Sequence, residues 1–328
     1  MFSVSLLFLC LVNYAFVESN DQKVKQCTQQ DLSTMHQTCS PLVDELMFQI
    51  EQFVPDKIEL DAARNLTRLC SDVMSCFGKT NCLEAQRNKE TYTQKCQKLD
   101  FKNYGMHKCM PYFYKMAYNQ ENSCASKYDF FTNDLKTKRT AFTSGKQCLL
   151  EIVSVKCSKK TMAYLNDYYD NFVNILTTPP NNTRCTSAYD GLTSIQCMPI
   201  LKKTSEIFTE TQDFSGLNGL SAVKLCESAR DCMKNSCVYS LKTVQNMDSA
   251  CINFRKATFQ QCFYSILTST EDYSKYKCVK DIIAKNKTAK FTEDKGCMKS
   301  VMTGECSNVS AEGFDAEWDN RSNFGQPV

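Results

Sequence analysis

Glycine and proline are scarce, at 10 and 7 in 328 residues. Small disulfide folds assembled from loops and hairpins need both for their turns, so the scarcity argues against that class and for helices. Histidine is nearly absent. With only His36 and His107, a Ser-His-Asp or Cys-His site has few possible bases. There is no Cys-x-x-C, no Gly-x-Ser-x-Gly and no P-loop, which removes the usual signatures of zinc, of an esterase elbow and of a nucleotide cradle. No cofactor, metal ligand or catalytic residue is therefore expected. Net charge is +3 with both signs interspersed, too weak a field for nucleic acid.

Long apolar runs are also lacking beyond the first 17 residues, and the C-terminus is too polar for a lipid anchor. The opening run ends in Val17, Glu18 and Ser19, which reads as a signal peptide cleaved after Ser19. It is shorter than the roughly 20 residues that a span requires. A secreted, extracellular protein without a membrane span is expected.

What the chain has in abundance is cysteine. Of 21, Cys10 falls in the leader, leaving an even 20, a disulfide framework for an oxidising compartment. Five Asn-x-Ser/Thr sequons, at Asn65, Asn181, Asn286, Asn308 and Asn320, fit the same route and are candidates for N-glycosylation.

The cysteines repeat. The first ten are Cys27, Cys39, Cys70, Cys76, Cys82, Cys96, Cys109, Cys124, Cys148 and Cys157, in steps of 12, 31, 6, 6, 14, 13, 15, 24 and 9. The second ten are Cys185, Cys197, Cys226, Cys232, Cys237, Cys251, Cys262, Cys278, Cys297 and Cys306, in steps of 12, 29, 6, 5, 14, 11, 16, 19 and 9. Neighbours repeat as well: Cys27-Thr28 with Cys39-Ser40-Pro41 matches Cys185-Thr186 with Cys197-Met198-Pro199. Such self-similarity marks a duplicated unit. Ten is even, so each copy can close on itself, with the pairing open among about a thousand arrangements.

The boundary falls at a Pro-Pro pair and an Asn-rich stretch, which cannot continue a helix. The expected organisation is signal peptide 1–19, copy 1 over 20–178, linker 179–184, copy 2 over 185–306, and a polar tail 307–328 expected to be disordered. The tail carries Phe314, Trp318 and Phe324, so a short docking peptide is the other reading.

Apolar residues at Leu42, Val43, Leu46, Met47, Ile50, Phe53 and Val54 recur at helical spacing, with Pro41 placed to begin that helix. The fold class expected is all-α: two tandem disulfide-cross-linked bundles of about five or six short helices each. The 14-residue step is about four helical turns, so Cys82 and Cys96 would bond neighbouring helices and not each other. A domain of this size can bury a core without staples, so the bridges serve resistance to a harsh setting.

An aromatic group, Tyr104, Tyr112, Phe113, Tyr114 and Tyr118 with Tyr164, Tyr168 and Tyr169, has two readings. It is either helix core with hydroxyls at the rim, or an apolar pocket or tyrosine patch for a partner. His36 reads as a surface residue and His107 as a partly buried structural imidazole. The acidic pairs Asp44/Glu45 and Glu293/Asp294 read as solvated helix faces.

The Cys-x-Pro step, the central trios (Cys70, Cys76, Cys82; Cys226, Cys232, Cys237) and the closing pairs nine apart resemble a nematode-enriched secreted family, domain of unknown function 19 (DUF 19), in two tandem copies. The resemblance implies a helical, secreted, cysteine-rich module, and it implies no catalytic residue. The unequal 24- and 19-residue steps before the ninth cysteine mark a loop that differs between copies, where any difference in function would lie. A non-enzymatic extracellular interaction protein is expected, whose partner is a protein, a glycan or an apolar ligand. A carrier of a small apolar ligand is the alternative. A hydrolase would need a polar cleft holding His107 beside a Ser or Cys nucleophile and a carboxylate.

Overall fold

The computed structural model describes residues 25–54, 57–181, 185–210, 217–268, 276–284, 295–306 and 309–322. The leader, Asn286, Asn308 and the Glu293/Asp294 pair lie outside them. All regular structure among the described residues is helical. The first copy holds α1 (Gln29–Gln52), α2 (Leu60–Gly78), α3 (Leu83–Asn103), α4 (Met106–Tyr118), a 3-10 turn (Ala125–Lys127), α5 (Leu135–Ser144), α6 (Lys146–Ser154), α7 (Lys159–Asp167) and α8 (Tyr169–Thr177). The second holds α9 (Ala188–Glu210), α10 (Leu217–Lys234), α11 (Leu241–Thr268), α12 (Lys277–Ala284), α13 (Lys295–Glu305) and α14 (Ala311–Ser322). Among the described residues the first copy thus has eight helices where five or six were expected, the second has six, and α11 runs to 28 residues.

Local chemistry sets where each copy begins. The Thr28 hydroxyl accepts from the Asp31 amide while the Asp31 carboxylate accepts from the Thr28 amide at 2.9 Å, a capping box. Those hydrogen bonds hold the Asp31 carboxyl below its ordinary range. Ser187 and Asp190 repeat the arrangement ahead of α9. Pro41 therefore does not start its helix. It lies inside α1, as Pro199 lies inside α9. Each costs one helical hydrogen bond, and the cap at Thr28, thirteen residues upstream of Pro41, dictates the true start. Cys82 and Cys237 likewise sit just ahead of α3 and α11, with Cys96 and Cys251 within those helices.

The ten disulfides resolve the pairing. In the first copy they join Cys27–Cys82, Cys39–Cys76, Cys70–Cys96, Cys109–Cys157 and Cys124–Cys148. In the second they join Cys185–Cys237, Cys197–Cys232, Cys226–Cys251, Cys262–Cys306 and Cys278–Cys297. By order in the copy, both read one to five, two to four, three to six, seven to ten and eight to nine. The Cα separations run from 5.0 to 6.1 Å, inside the range that a bridge spans.

No bridge crosses from the first six cysteines of a copy to its last four, and the packing follows that division more than the repeat. One compact unit takes the described residues up to Phe53 together with Arg64–Cys96. It contains α1, most of α2 and α3 and three disulfides, with Phe77 stacked on Tyr92 at 5.7 Å. The second unit takes Val54–Ala63 and the chain from Gln97 onward. The Pro179–Pro180 pair therefore does not divide the compact units. Instead α4 and α8 pack against α9, and Tyr118 and Phe131 of copy 1 lie on a core of Cys197, Ile200, Ala229 and Cys232 from copy 2.

The tail expectation is corrected most sharply. Residues 311–322 form α14, and Phe314 and Trp318 are 0 % and 1 % exposed in a core with Phe259, Met298, Val301 and Met302. Charge fixes the same helix. Buried Glu317 pairs with Arg255 at 3.1 Å, Lys295 with Asp319 at 2.6 Å, and Lys299 with Asp315. In copy 1, Ser158 likewise caps α7 just after the tenth cysteine, and Tyr164 and Tyr169 enter the core. The tail is the second copy's version of that closing segment.

Candidate functional site

Five of the eight aromatic residues, Tyr104, Phe113, Tyr114, Tyr164 and Tyr169, are core, and Tyr112, Tyr118 and Tyr168 are half-buried. Tyr104, Phe113 and Tyr114 are 0 % exposed, and Phe113 meets Phe130 and Phe142 at 5.1 and 6.0 Å between ring centres. The hydroxyls of Tyr114, Tyr164 and Tyr169 do not reach a rim. Tyr169 donates to the Phe142 carbonyl at 2.7 Å, whereas the buried hydroxyls of Tyr114 and Tyr164 have no hydrogen-bond partner. Burial pushes the Tyr114 and Tyr164 phenols well above their ordinary value.

His36 is exposed on α1, and His107 is half-buried on α4 with its ring 6.1 Å from Phe101. Asp44 and Glu45 are exposed on α1. Of the sequons, Asn65 is exposed on α2 with Thr67 of its tripeptide buried, Asn181 is exposed after α8, and Asn320 falls in α14. Among the described residues, no cluster of three or more His, Cys, Asp or Glu is placed to hold a metal, and no helix is long and apolar enough to cross a membrane.

Two concave regions stand out in the second unit. The smaller, about 350 Å³, surrounds the Cys109–Cys157 bridge and carries Lys108, Lys156 and Lys160. Lys160 donates to the Ile58 carbonyl at 2.8 Å, and Lys156 lies 5.5 Å from the centre of the Tyr112 ring.

The larger, about 540 Å³, is an open groove along the seam of the two copies. Copy 1 supplies the end of α4 (Ala117, Tyr118), Gln120, and Ala125, Ser126, Tyr128, Phe131 and Asn133 from the long step before its ninth cysteine. Copy 2 supplies Ile200 from α9 and Ser228, Asp231 and Cys232 from α10. The rings are held in place, since Phe131 meets Tyr114 and Tyr118 edge-on at 5.6 Å each. Partial burial raises the Tyr118 phenol's pKa, so it stays a neutral donor.

Gln120 occupies an unusual position. The Glu121 amide donates to the Met116 carbonyl and the Gln120 amide to that of Ala117, the Schellman pattern that ends a helix. The pattern puts Gln120 at φ 53°, where glycine is the default and a side chain costs about 1 kcal/mol. Strained residues of this kind gather at binding sites.

Behind the groove, the buried Lys138 ammonium donates to Gln196 Oε1 at 3.0 Å, and Gln196 Nε2 donates to the Phe131 carbonyl at 2.8 Å. Lys138 thereby ties α5 of copy 1 to α9 of copy 2 and to a groove residue. Burial pulls its pKa down to about 8, against a weaker upward pull from Asp129. Sequence reasoning missed the groove because its walls come from both copies. The one available signal was the unequal step before the ninth cysteine.

No curated protein and no solved structure was found to match the chain. A family profile does match, over residues 27–186 and again over 185–325. The second match runs past Cys306 through α14, as the packing of Trp318 requires. With two successive matches that together cover nearly the whole chain, this protein belongs to the family described as Domain of unknown function (DUF19), in two tandem copies.

Proposed function

We propose that this chain is a secreted, non-enzymatic, disulfide-stabilised interaction protein whose two copies together build one binding groove. The observation that carries the reading is the seam groove, roofed by half-buried rings and walled by residues from both copies. Its volume lies in the range of ordinary ligand sites. Ten bridges suit an oxidising compartment, and a leader with five sequons suits export. The apolar-carrier alternative draws less support, because Tyr104, Phe113, Tyr114, Tyr164 and Tyr169 are packed into the core and the groove mixes apolar with polar walls.

The test is capture from the fluid into which the protein is secreted, using the full disulfide-intact chain and a Ser228→Trp variant. Ser228 is exposed at the groove wall, so a bulky ring there fills the groove without entering the core. Saturable binding by the parent chain, reduced in the variant, is expected. Turnover of ester, peptide or glycoside substrates that is abolished by His107→Ala would overturn the non-enzymatic reading.

A further inference from the structure

Resting on that groove, we infer that its ligand is a neutral oligosaccharide of about two or three sugar rings, sized from the groove volume. A pyranose is chemically two-sided: its C–H faces are apolar and its rim carries hydroxyls that both donate and accept. The groove offers both complements. Tyr118, Tyr128 and Phe131 present aromatic surface for the C–H faces, while Gln120 and Asn133 bring carboxamides that donate and accept in one plane.

Charge narrows the class. Among the described residues no lysine or arginine lines the groove, so its walls offer a phosphate, sulfate or carboxylate ligand no direct counter-charge. The carboxylate among the described lining residues, Asp231, already accepts from Arg230 at 2.9 Å, which weakens its attraction for a cation. A lipid tail would strip water from Gln120 and Asn133 without replacing their hydrogen bonds. An extended peptide docks best on a sheet edge, and an amphipathic helix on a continuous apolar trough. There is no strand among the described residues, and Gln120, Asn133 and Asp231 interrupt the apolar wall.

The strained Gln120 is the second line of support. Glycine would satisfy the helix end better at φ 53°, so glutamine there sacrifices local stability and places a carboxamide residue at the groove. That trade is what a binding role for Gln120 requires.

The experiment uses the full disulfide-intact chain with its own N-glycans trimmed. Saturation-transfer NMR and calorimetry are run with maltotriose, cellotriose, mannotriose and triacetylchitotriose, and with a sialylated and a sulfated oligosaccharide as anionic comparators. At least one neutral trisaccharide is expected to bind saturably. Gln120→Gly and Asn133→Ala should each weaken it about tenfold, while Val155→Ser, on an exposed site away from the groove, leaves it unchanged. Gln120→Gly should melt at the same or a higher temperature, so lost binding cannot be assigned to lost folding. No binding by any of the four neutral sugars, binding undiminished in both groove variants, or preference for the anionic sugars overturns the inference. Capture of a protein partner that is lost in Ser228→Trp, with no sugar bound, sinks the saccharide and leaves the interaction protein standing. Absence of any saturable partner sinks both.

Discussion

The buried ammonium of Lys138 in the first copy donates to Oε1 of Gln196 in the second at 3.0 Å, so a desolvated charge sits at the seam of the repeat. Its folded pKa, about 8, lies below the ordinary lysine value of 10.5. Between those values the unfolded chain binds more protons than the folded one, and stability therefore rises with pH. Below about pH 8 the burial penalty is fully present; it is relieved progressively up to about 10.5. Relative to Lys138→Met, the parent chain should gain about 1–2 kcal/mol between about pH 7.5 and about pH 9.5, measured by urea unfolding. Parallel curves for the two proteins would show that Lys138 is not desolvated.

Tyr114 marks a place where polarity works against the core. Its hydroxyl is buried without a partner, a state that costs about 1–3 kcal/mol. Tyr114→Phe keeps the edge contacts to Phe113 and Phe131 and removes the stranded group. The variant should be more stable by about 1 kcal/mol, read as a higher denaturant midpoint at unchanged slope. Tyr169→Phe is the control in the opposite direction, because it breaks a 2.7 Å hydrogen bond to the Phe142 carbonyl.

Phe314 stacks on Trp318 at 5.1 Å within the second copy's core. Phe314→Ala should cost about 3–5 kcal/mol, as large-to-small changes do at fully buried aromatic sites. Trp318, the sole tryptophan, supplies the readout. Its emission should be blue-shifted in the native chain and move to longer wavelength at lower denaturant in the variant. An unchanged midpoint would mean that α14 is not docked.

Peptide mapping of the unreduced protein should return the same connectivity from both copies: one to five, two to four, three to six, seven to ten and eight to nine. A single bridge between the first six and last four cysteines of the first copy would contradict the division into compact units.

Much of the fold was legible because it depends on local or periodic signals. Apolar residues at helical spacing and few glycines specify helices, and twenty cysteines in two matching ladders specify a duplication. The start of α1 was also readable: Thr28 and Asp31 stand three apart, as a capping box requires, but Pro41 drew the start downstream. The tail was misread because its hydrophobic residues are sparse and spaced among acids. Their meaning comes from Arg255, Lys295 and Lys299, which no local pattern brings to α14.

The candidate groove was beyond the sequence for the same reason. Tyr118 and Asp231 are 113 positions apart, and only packing brings them to one cavity. From the sequence alone came the disulfide framework, the helical class and the tandem copies, since each follows from composition, period or spacing. The tertiary structure alone decided which cysteines pair, that copy 1 divides between its sixth and seventh cysteines, and that the opening ladder's long step before Cys148 faces copy 2. Bond partners and shared walls are set by distance in space, and residues remote in the chain carry no local mark of it.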